Sequence, residues 1–345
     1  MIWTRGKVIA AASSAVAAVG VGVGVSFALS GAPAVHRPAS AHSPSPSITP
    51  SQPLAGPLTS PFTGEPVRSL QRVLAVKIDN IVFARPQTGL TSADIVYVLP
   101  VEGGLSRFLA IFSSHIPRVI GPVRSARADD LELLRQFGRP AFAWSGAQPR
   151  LTRVVQRARI VDLYANLVGG YFRDYNRIAP YNLYADAHKL WAEARGASKA
   201  HNIGFKFSPN APRGGRVASS VSVSYPSASY RFTWSHKQRR WLVWIDGAKA
   251  GTTERKQMSA ATVVIQHTEV STSKFLEYHL RPPYAWTIGH GTAIVLRNGR
   301  AYKVNWSRNR IYQGTRFTTP SGRPMTFAPG PVWIVLVGNR TNEMG

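Results

Sequence analysis

Short apolar runs separated by polar and glycine-rich stretches dominate the chain from about residue 61 onward. In the first half, mostly apolar runs of five or six residues are typical of strands that are buried on both faces. These runs are Leu74–Ile78, Ala93–Val98 and Phe108–Phe112. Asp129 and Asp130 then open a stretch to about Phe137 that has the capped start of a helix. The pattern predicts an α/β domain over residues 61–211.

A second pattern begins after a stretch at residues 208–215 that is rich in Pro, Gly and Asn. Runs of β-branched and aromatic residues recur there, and turn signals such as Asp246-Gly247 and Asn298-Gly299 separate them. This spacing is expected of antiparallel hairpins. The predicted strands are Ser220–Tyr225, Tyr230–Trp234, Trp241–Ile245, Ala261–His267, Ala293–Arg297, Arg300–Trp306 and Val332–Val337. Residues 216–340 are therefore predicted to form a mainly antiparallel β domain.

The first 60 residues do not have the pattern of a folded domain. Arg5 and Lys7 precede an uncharged run from Val8 to Ser30 that is rich in Ala, Val and Gly. The run is longer than the apolar core of a signal peptide and close to the ~20 residues that span a bilayer, so residues 1–30 are either a signal peptide or a membrane anchor. Positive charge before the run predicts an extracytoplasmic location for the rest of the chain. Residues 31–60, rich in Pro and Ser, are predicted to be a disordered tether.

Charge narrows the choice of partner. The chain carries 42 Lys and Arg against 16 Asp and Glu, a formal net charge of +26. Such an excess favours an anionic partner, and an extracytoplasmic location excludes nucleic acid in favour of an anionic cell-wall polymer, a glycan or lipid phosphates. The chain has no Cys, which excludes disulfides, thiolate metal sites, a Cys nucleophile and a lipid-modified cysteine.

Residues 76–130 concentrate the scarce acidic residues, since five of the 16 fall there beside several arginines. Charged residues at strand ends next to Gly turns are where α/β frameworks usually build sites. The candidate ligand-binding residues are Asp79, Asn80, Arg85, Gln87, Arg107, Arg124, Arg127 and, further along the chain, Asn182. The candidate catalytic residues are Glu102 and Asp94.

Three chemistries fit these residues. The arginines and carboxylates can neutralise each other in an internal ion-pair network. The arginines can instead clamp a phosphate or carboxylate, because the planar guanidinium binds such groups through two hydrogen bonds. Glu102 and Asp94 can also form the carboxylate pair that acid–base cleavage of a glycan requires. The His residues show neither H-x-x-x-H nor HExxH spacing, and the chain has no P-loop or GxGxxG, so no metal or nucleotide cofactor is predicted.

Five motifs in this segment resemble the YerB-like family, which corresponds to DUF3048. They are Asp79-Asn80, Ala84–Leu90, Ala93–Tyr97, Val101–Arg107 and Gly121–Arg127. The likeness continues through Arg177–Tyr184 and, more loosely, through the C-terminal part. The family consists of bacterial envelope proteins, often lipoproteins, with no assigned function. The resemblance implies a layered α/β sandwich for the first domain.

Two positions depart from the family pattern. Val98 stands where members commonly carry Glu, and Tyr181 stands where they carry His. If those residues are catalytic, this chain has lost two members of the set; if they only shape a pocket, nothing is lost. Members also usually attach through a lipidated Cys, so the apolar N-terminal segment must serve as the membrane attachment here.

Together these observations favour a non-enzymatic or cryptic envelope protein of uncharacterised activity that engages an anionic wall component. Arg85, Arg107 and Arg124, with Arg127, are expected to bind it. One alternative is a glycan-directed hydrolase or lyase that uses Glu102 and Asp94. The other is a protein-interaction module for the wall-synthesis machinery.

Overall fold

The computed structural model describes residues 57–276 and 280–338. The predicted membrane segment, most of the predicted tether and residues 339–340 of the predicted β domain lie outside the described residues. Within the described ranges, no helix has both the length and the apolar character needed to cross a bilayer.

Strands outnumber helices throughout the described part of the chain. Strands β1 to β9 span Leu74–Asp79, Ile95–Pro100, Ser106–Phe112, Val119–Ile120, Ala141–Trp144, Val161–Tyr164, Tyr171–Arg173, Leu183–Asp186 and Lys206–Phe207. Strands β10 to β16 span Arg216–Val217, Ser220–Tyr225, Ala228–Ser235, Arg240–Ile245, Ala248–Lys249, Ser259–Ala260 and Thr262–Thr268. Strands β17 to β23 span Val270–Thr272, Pro283–Ala285, Gly289–Arg297, Arg300–Arg308, Arg316–Thr318, Thr326–Phe327 and Val332–Gly338. The helices α1, α2 and α3 span Ala128–Leu134, Pro149–Gln156 and Ala187–Glu193.

The strands predicted in the first half are confirmed as β1, β2 and β3, and they are buried almost throughout. The second predicted strand begins at Ile95 rather than Ala93. The predicted helix is confirmed as α1, which a 3₁₀ turn at Arg135–Phe137 extends to the expected end. Long apolar runs therefore identified the buried strands well, and only their ends were displaced.

The largest sheet has eleven strands and joins both halves of the chain. Its order is β10-β20-β19-β16-β23-β2-β3-β1-β5-β6, and β21 also pairs with β20. Strand β23 lies between β16 and β2 and runs parallel to both, whereas β3 pairs antiparallel with β1 and β2. The two segments that the sequence pattern distinguishes, residues 61–211 and 216–340, thus share one mixed sheet. The fold is mixed α/β and rich in strands.

A hydrophobic core lies against each face of this sheet. Alternate residues of β1 belong to different cores, as the period of two in a strand requires: Leu74 and Val76 lie in one, and Ala75 in the other. The first core also contains Phe232 and Trp241 of the smaller sheet β11-β12-β13-β14, with β15 paired to β13. The second contains apolar residues of α1 and α2. Residues at the ends of β1 to β3 therefore lie at the rim of both cores.

Candidate functional site

A charged cleft lies where β1 and β2 end and β3 begins. Because β3 is antiparallel to both neighbours, Arg107 is the register partner of Asp79 on β1 and of Leu99 on β2. Glu102 follows β2 in a 3₁₀ turn in which Gly103 has a φ of 69°, a left-handed conformation that favours glycine. The sheet therefore brings residues from three separate motifs to one edge.

The cleft has a volume of about 240 Å³. Five charged side chains and one aromatic ring are among the groups that line it. The charged residues are Asp79, Glu102, Arg107, Arg124 and Arg127, and the ring is that of Tyr181. Five of the ten predicted site residues thus converge here. Three arginines against two carboxylates leave a surplus of positive charge.

Asp79 is the centre of one ion-pair group. Its Oδ2 lies 2.8 Å from Nε of Arg124, and its Oδ1 lies 3.7 Å from Nε of Arg107. The contact to Arg124 is a close ion pair in which the N–H direction misses hydrogen-bond alignment. The Asp79 carboxylate also accepts a hydrogen bond from the Asn80 backbone N–H at 2.9 Å. One buried carboxylate thus positions two arginines at the floor of the cleft.

Glu102 and Arg127 form the second group. Nε of Arg127 lies 2.7 Å from Oε1 of Glu102, and Nη2 donates to Oε2 at 2.9 Å. Burial raises the pKa of Glu102, but the hydrogen bond and charge of Arg127, with the charge of Arg107, outweigh burial and hold that pKa below its ordinary value. Glu102 is therefore a carboxylate at neutral pH and does not supply a proton.

Arg107 lies between these groups with few partners of its own. Its side chain is 11% exposed. Within the described residues its hydrogen bonding is limited to a 3.5 Å contact from Nη1 to the Ser125 carbonyl, and its buried Nε has no aligned acceptor. Burial, with repulsion from Arg127, lowers the pKa of Arg107 to about 10, although Asp79 and Glu102 oppose the shift. The guanidinium is still charged at neutral pH and retains unused donors beside the cleft.

Arg85, Asn80 and Gln87 form a different cluster beside the cleft but not in its lining. Nδ2 of Asn80 donates to the Tyr230 hydroxyl at 2.6 Å, and its Oδ1 accepts from Nε2 of Gln87 at 2.9 Å. Arg85 donates to the Asn80 carbonyl at 2.7 Å and pairs with Asp246 at 2.8 Å. These contacts fix the loop after β1 against β12 and β13. Of the four arginines expected to bind the ligand, Arg85 does not line the cleft, because it is turned to Asp246.

Asp94 and Glu102 lie at opposite ends of β2, which corrects the predicted catalytic pair. Asp94 precedes the strand, and its Oδ2 accepts hydrogen bonds from the Ser113 and Ser114 backbone N–H groups at 2.6 and 2.8 Å. Six strand residues separate the two carboxylates, roughly 20 Å at about 3.3 Å per residue. Glycosidases need about 5–10 Å between their carboxyl groups. Both residues are acidic and flank the same apolar run, so the sequence pattern alone did not show that their carboxylates lie far apart.

Asn182 is buried at 3% exposure and accepts a hydrogen bond from Arg173 Nη1 at 2.7 Å. It follows Tyr181 but does not line the cleft. Val98 is fully buried in the core on the opposite face of the sheet from Leu99. Of the two departures from the family pattern, only Tyr181 lies at the cleft.

Sequence reasoning missed a buried ion pair beneath the cleft. Nζ of Lys77 lies 2.6 Å from Oδ1 of Asp130, and both side chains are completely buried. Burial, with the neighbouring charge of Asp130, raises the pKa of Asp129, although Lys77 opposes the shift. A lysine within an otherwise apolar strand was the available signal, because a buried lysine is nearly always paired. Tyr230 was also missed, and no local pattern connects it with Asn80.

Metal binding has little support in the part of the chain that the structure describes. No group of three or more His, Asp or Glu side chains converges there in a way that could hold an ion. The charged groups of the cleft are paired with one another and leave positive, not negative, charge in surplus. The arrangement is suited to an anion.

Comparisons with known proteins agree with this architecture. The profile described as "Protein of unknown function (DUF3048) N-terminal domain" matches residues 62–201, and that of the DUF3048 C-terminal domain matches residues 221–334. The chain is 27% identical over 296 residues to "Putative lipoprotein YerB" of Bacillus subtilis, covering 82% of this chain and 86% of the relative. A crystal structure of the YerB protein from Bacillus subtilis matches with a TM-score of 0.72 at 22% identity, over 84% of this chain and 100% of that one.

Proposed function

The chain belongs to the DUF3048 family, and on that premise we propose that it is an envelope-associated protein whose cleft binds an anionic group of a cell-wall component. The observation that carries the proposal is Arg107. A guanidinium has five N–H donors, and this one is largely buried with a single 3.5 Å hydrogen bond within the described residues. Buried polar groups nearly always have partners, so a ligand that supplies two acceptor oxygens satisfies Arg107.

The charges around Arg107 favour a phosphate or carboxylate. Arg124 and Arg127 each pair with a carboxylate of the protein, which leaves the charge of Arg107 as the local surplus. Charge-assisted hydrogen bonds are about twice as strong as neutral ones, and arginine forms them in pairs with planar or tetrahedral oxyanions. The internal ion pairs therefore position the arginine that binds the anion.

Acid–base cleavage of a glycan has weaker support. Glu102 has a lowered pKa and so is a poor proton donor, and Asp94 lies at the other end of β2. Asp79, the other carboxylate of the cleft, is held by Arg124 and by the Asn80 backbone. Binding without cleavage is the better account of these residues.

The envelope location is inferred from two observations of different kinds. A relative that matches most of this chain bears the name "Putative lipoprotein YerB". This chain has no Cys to carry a lipid, but its residues 8–30 form an uncharged apolar run behind Arg5 and Lys7. We infer that this run directs the protein out of the cytoplasm, where its net charge of +26 meets anionic wall polymers.

The test measures binding of inorganic phosphate to the full-length chain by isothermal titration calorimetry at low and high ionic strength. Arg107→Gln is expected to weaken phosphate binding about 10- to 100-fold, the effect of losing one or two charge-assisted hydrogen bonds. Arg85→Gln is the matched control, because Arg85 is a half-buried, ion-paired arginine outside the cleft lining. Equal affinity of the wild type and the Arg107 variant contradicts the proposal.

A second measurement separates binding from catalysis. The full-length chain is incubated with purified cell walls, and soluble fragments are followed by mass spectrometry beside Glu102→Gln. We expect retention that decreases with salt and no released fragments. Fragments that disappear in the Glu102 variant would identify an enzyme, and retention that is insensitive to salt and to Arg107→Gln would point to a protein partner.

A further inference from the structure

A pair of stacked aromatic rings, of which the outer one is exposed, adjoins the charged cleft. The rings of Phe83 and Tyr181 have centroids 5.9 Å apart and an interplanar angle of 25°. Tyr181 lines the cleft, and Phe83 is the next ring outward, with 58% of its surface exposed. An apolar surface thus continues directly from the cleft proposed to bind an anion.

Hydrogen bonds to backbone carbonyls hold the two segments that carry these rings. Phe83 lies in a 3₁₀ turn, where the Ala84 N–H donates to the Ile81 carbonyl at 2.8 Å. Arg177 crosses from the Tyr181 segment and donates to the Pro86 carbonyl at 2.8 Å, and the Tyr181 N–H donates to the Ile178 carbonyl at 3.0 Å. A surface that is already ordered loses little conformational entropy when a ligand binds. The ring pair is therefore suited to recognition.

Arg124 connects the rings to the floor of the cleft. Its guanidinium carbon lies 5.5 Å from the centroid of the Tyr181 ring, and its Nε lies 2.8 Å from Asp79. Cations favour the face of an aromatic ring at this distance. A ligand whose acidic group lies on Arg124 therefore has its neighbouring atoms beside Tyr181, against which Phe83 stacks.

The shape and polarity of this surface define the ligand further. The cleft, at about 240 Å³, is smaller than most pockets for drug-sized molecules, so it accepts one small unit. Outside it, the aromatic surface is open and flanked by the charged groups of Arg124 and Arg177. A long acyl chain needs an enclosed apolar groove. A sugar ring has one apolar C–H face and a rim of hydroxyl groups, which fits a flat ring with donors around it.

We propose that the ligand is an acidic sugar, with its carboxylate or phosphate on Arg107 and Arg124 and its ring against the exposed surface of Phe83 beside Tyr181. This inference rests on the proposed function, because it requires the anion site. It adds that the acid is carried by a pyranose unit. The aromatic pair then distinguishes an acidic sugar from a free anion of the same charge.

The experiment compares inorganic phosphate, glucose 6-phosphate, glucuronic acid and glucose as ligands of the full-length chain by calorimetry. The wild type is expected to bind glucose 6-phosphate roughly tenfold more tightly than phosphate, the effect of one aromatic contact. Phe83→Ala is expected to remove that advantage and to leave the affinity for phosphate unchanged. Tyr312→Ala is the control, because Tyr312 has a similar exposure, 59%, and lies outside the cleft lining.

The outcomes separate this inference from the proposed function. If phosphate binds and glucose 6-phosphate binds no more tightly, or if Phe83→Ala preserves the advantage, the sugar inference is wrong and the anion site stands. If neither phosphate nor an acidic sugar binds the wild type, both fail. If Phe83→Ala leaves sugar binding intact but releases the protein from vesicles of anionic phospholipid, the exposed ring is a membrane contact, which also overturns the inference.

Discussion

Arg127 and Glu102 face each other as a two-point ion pair, with Nε 2.7 Å from Oε1 and Nη2 2.9 Å from Oε2. Arg127 is the residue before α1, and Glu102 lies in the turn after β2. The pair therefore connects the first turn of the helix to the edge of the sheet, so it supports both the fold and the charge of the cleft.

Glu102→Gln is expected to lower the free energy of unfolding by about 2 kcal/mol at neutral pH, because a charge-assisted hydrogen bond is weakened. The pKa of Glu102 is held below its ordinary value of 4.5. Its contribution is therefore present above that value and is lost as pH falls through the folded-state pKa. Urea denaturation at neutral and acidic pH measures the difference between wild type and variant, which should shrink in acid. The exposed Glu193→Gln is the control; a difference that is constant with pH would refute this account.

Lys77→Met is expected to be far more damaging. Lys77 and Asp130 are both completely buried at 2.6 Å, and removal of one partner of a buried pair costs about 3–5 kcal/mol because the other charge is left uncompensated. The double variant Lys77→Met/Asp130→Asn should lose less than the sum of the single variants. Chemical denaturation of all three measures this. Additive losses would show that the pair is not coupled, and the exposed Lys189→Met should have little effect.

Asp94→Asn is expected to change the pH dependence of stability in the opposite direction from Glu102→Gln. Burial raises the pKa of Asp94 from 3.8 to about 6, against the hydrogen bonds from Ser114 and Ser113. The folded protein therefore holds the proton of the Asp94 carboxyl more tightly than the unfolded chain does. The contribution of Asp94 to the free energy of unfolding is largest below pH 3.8 and declines as pH rises to about 6. The decline amounts to at most about 3 kcal/mol. The stability of the wild type minus that of the variant, measured by denaturation across this range, should fall with pH; a flat profile would contradict the shift.

Gly89→Ala separates a steric clash from backbone strain. Gly89 has a φ of +83°, and an added Cβ meets the Val119 carbonyl oxygen at 2.5 Å. Gly322 has nearly the same φ, +80°, with open space around it. Gly322→Ala is expected to cost about 1 kcal/mol from the left-handed backbone alone. Gly89→Ala should cost clearly more, since the loop that carries Gln87 must move. The free energy of unfolding of both variants is measured by thermal and chemical denaturation. Equal losses for the two variants would mean that the strand carrying Val119 moves aside without an energetic cost.

The sequence was informative wherever one local pattern determined the structure. Apolar runs with charged ends located β1, β2 and β3, and Asp246-Gly247 and Asn298-Gly299 located hairpin turns, in which all four residues have positive φ as type I′ turns require. The cleft residues Asp79, Glu102 and Arg107, with Arg124 and Arg127, were all among the candidates. Register then decides which of them meet, and register depends on strand pairing across the sheet.

The features of the site that the sequence did not predict depend on contacts between residues that are distant in the sequence. Asp94 and Glu102 are close in sequence, but the six residues of β2 lie between them. In the sequence Arg85 appeared equivalent to Arg107, but in the structure it pairs with Asp246, which directly follows β13. The bond from Asn80 to Tyr230 joins residues 150 positions apart. No periodicity or spacing encodes such pairs, because they result from how whole strands are ordered in the sheet.

The position of β23 has a consequence for how the molecule is made. This strand lies between β16 and β2 and pairs with both. Strand β2 precedes it in the sequence by more than two hundred residues. Until residue 338 is available, β2-β3-β1-β5-β6 and β10-β20-β19-β16 remain two fragments, each with an open edge. Such edges invite aggregation and long-range closure is slow. A chain stopped before Val332 is therefore expected to be degraded rather than to persist as a truncated product. A chain threaded through a narrow export channel is expected to stay unfolded until β23 has emerged.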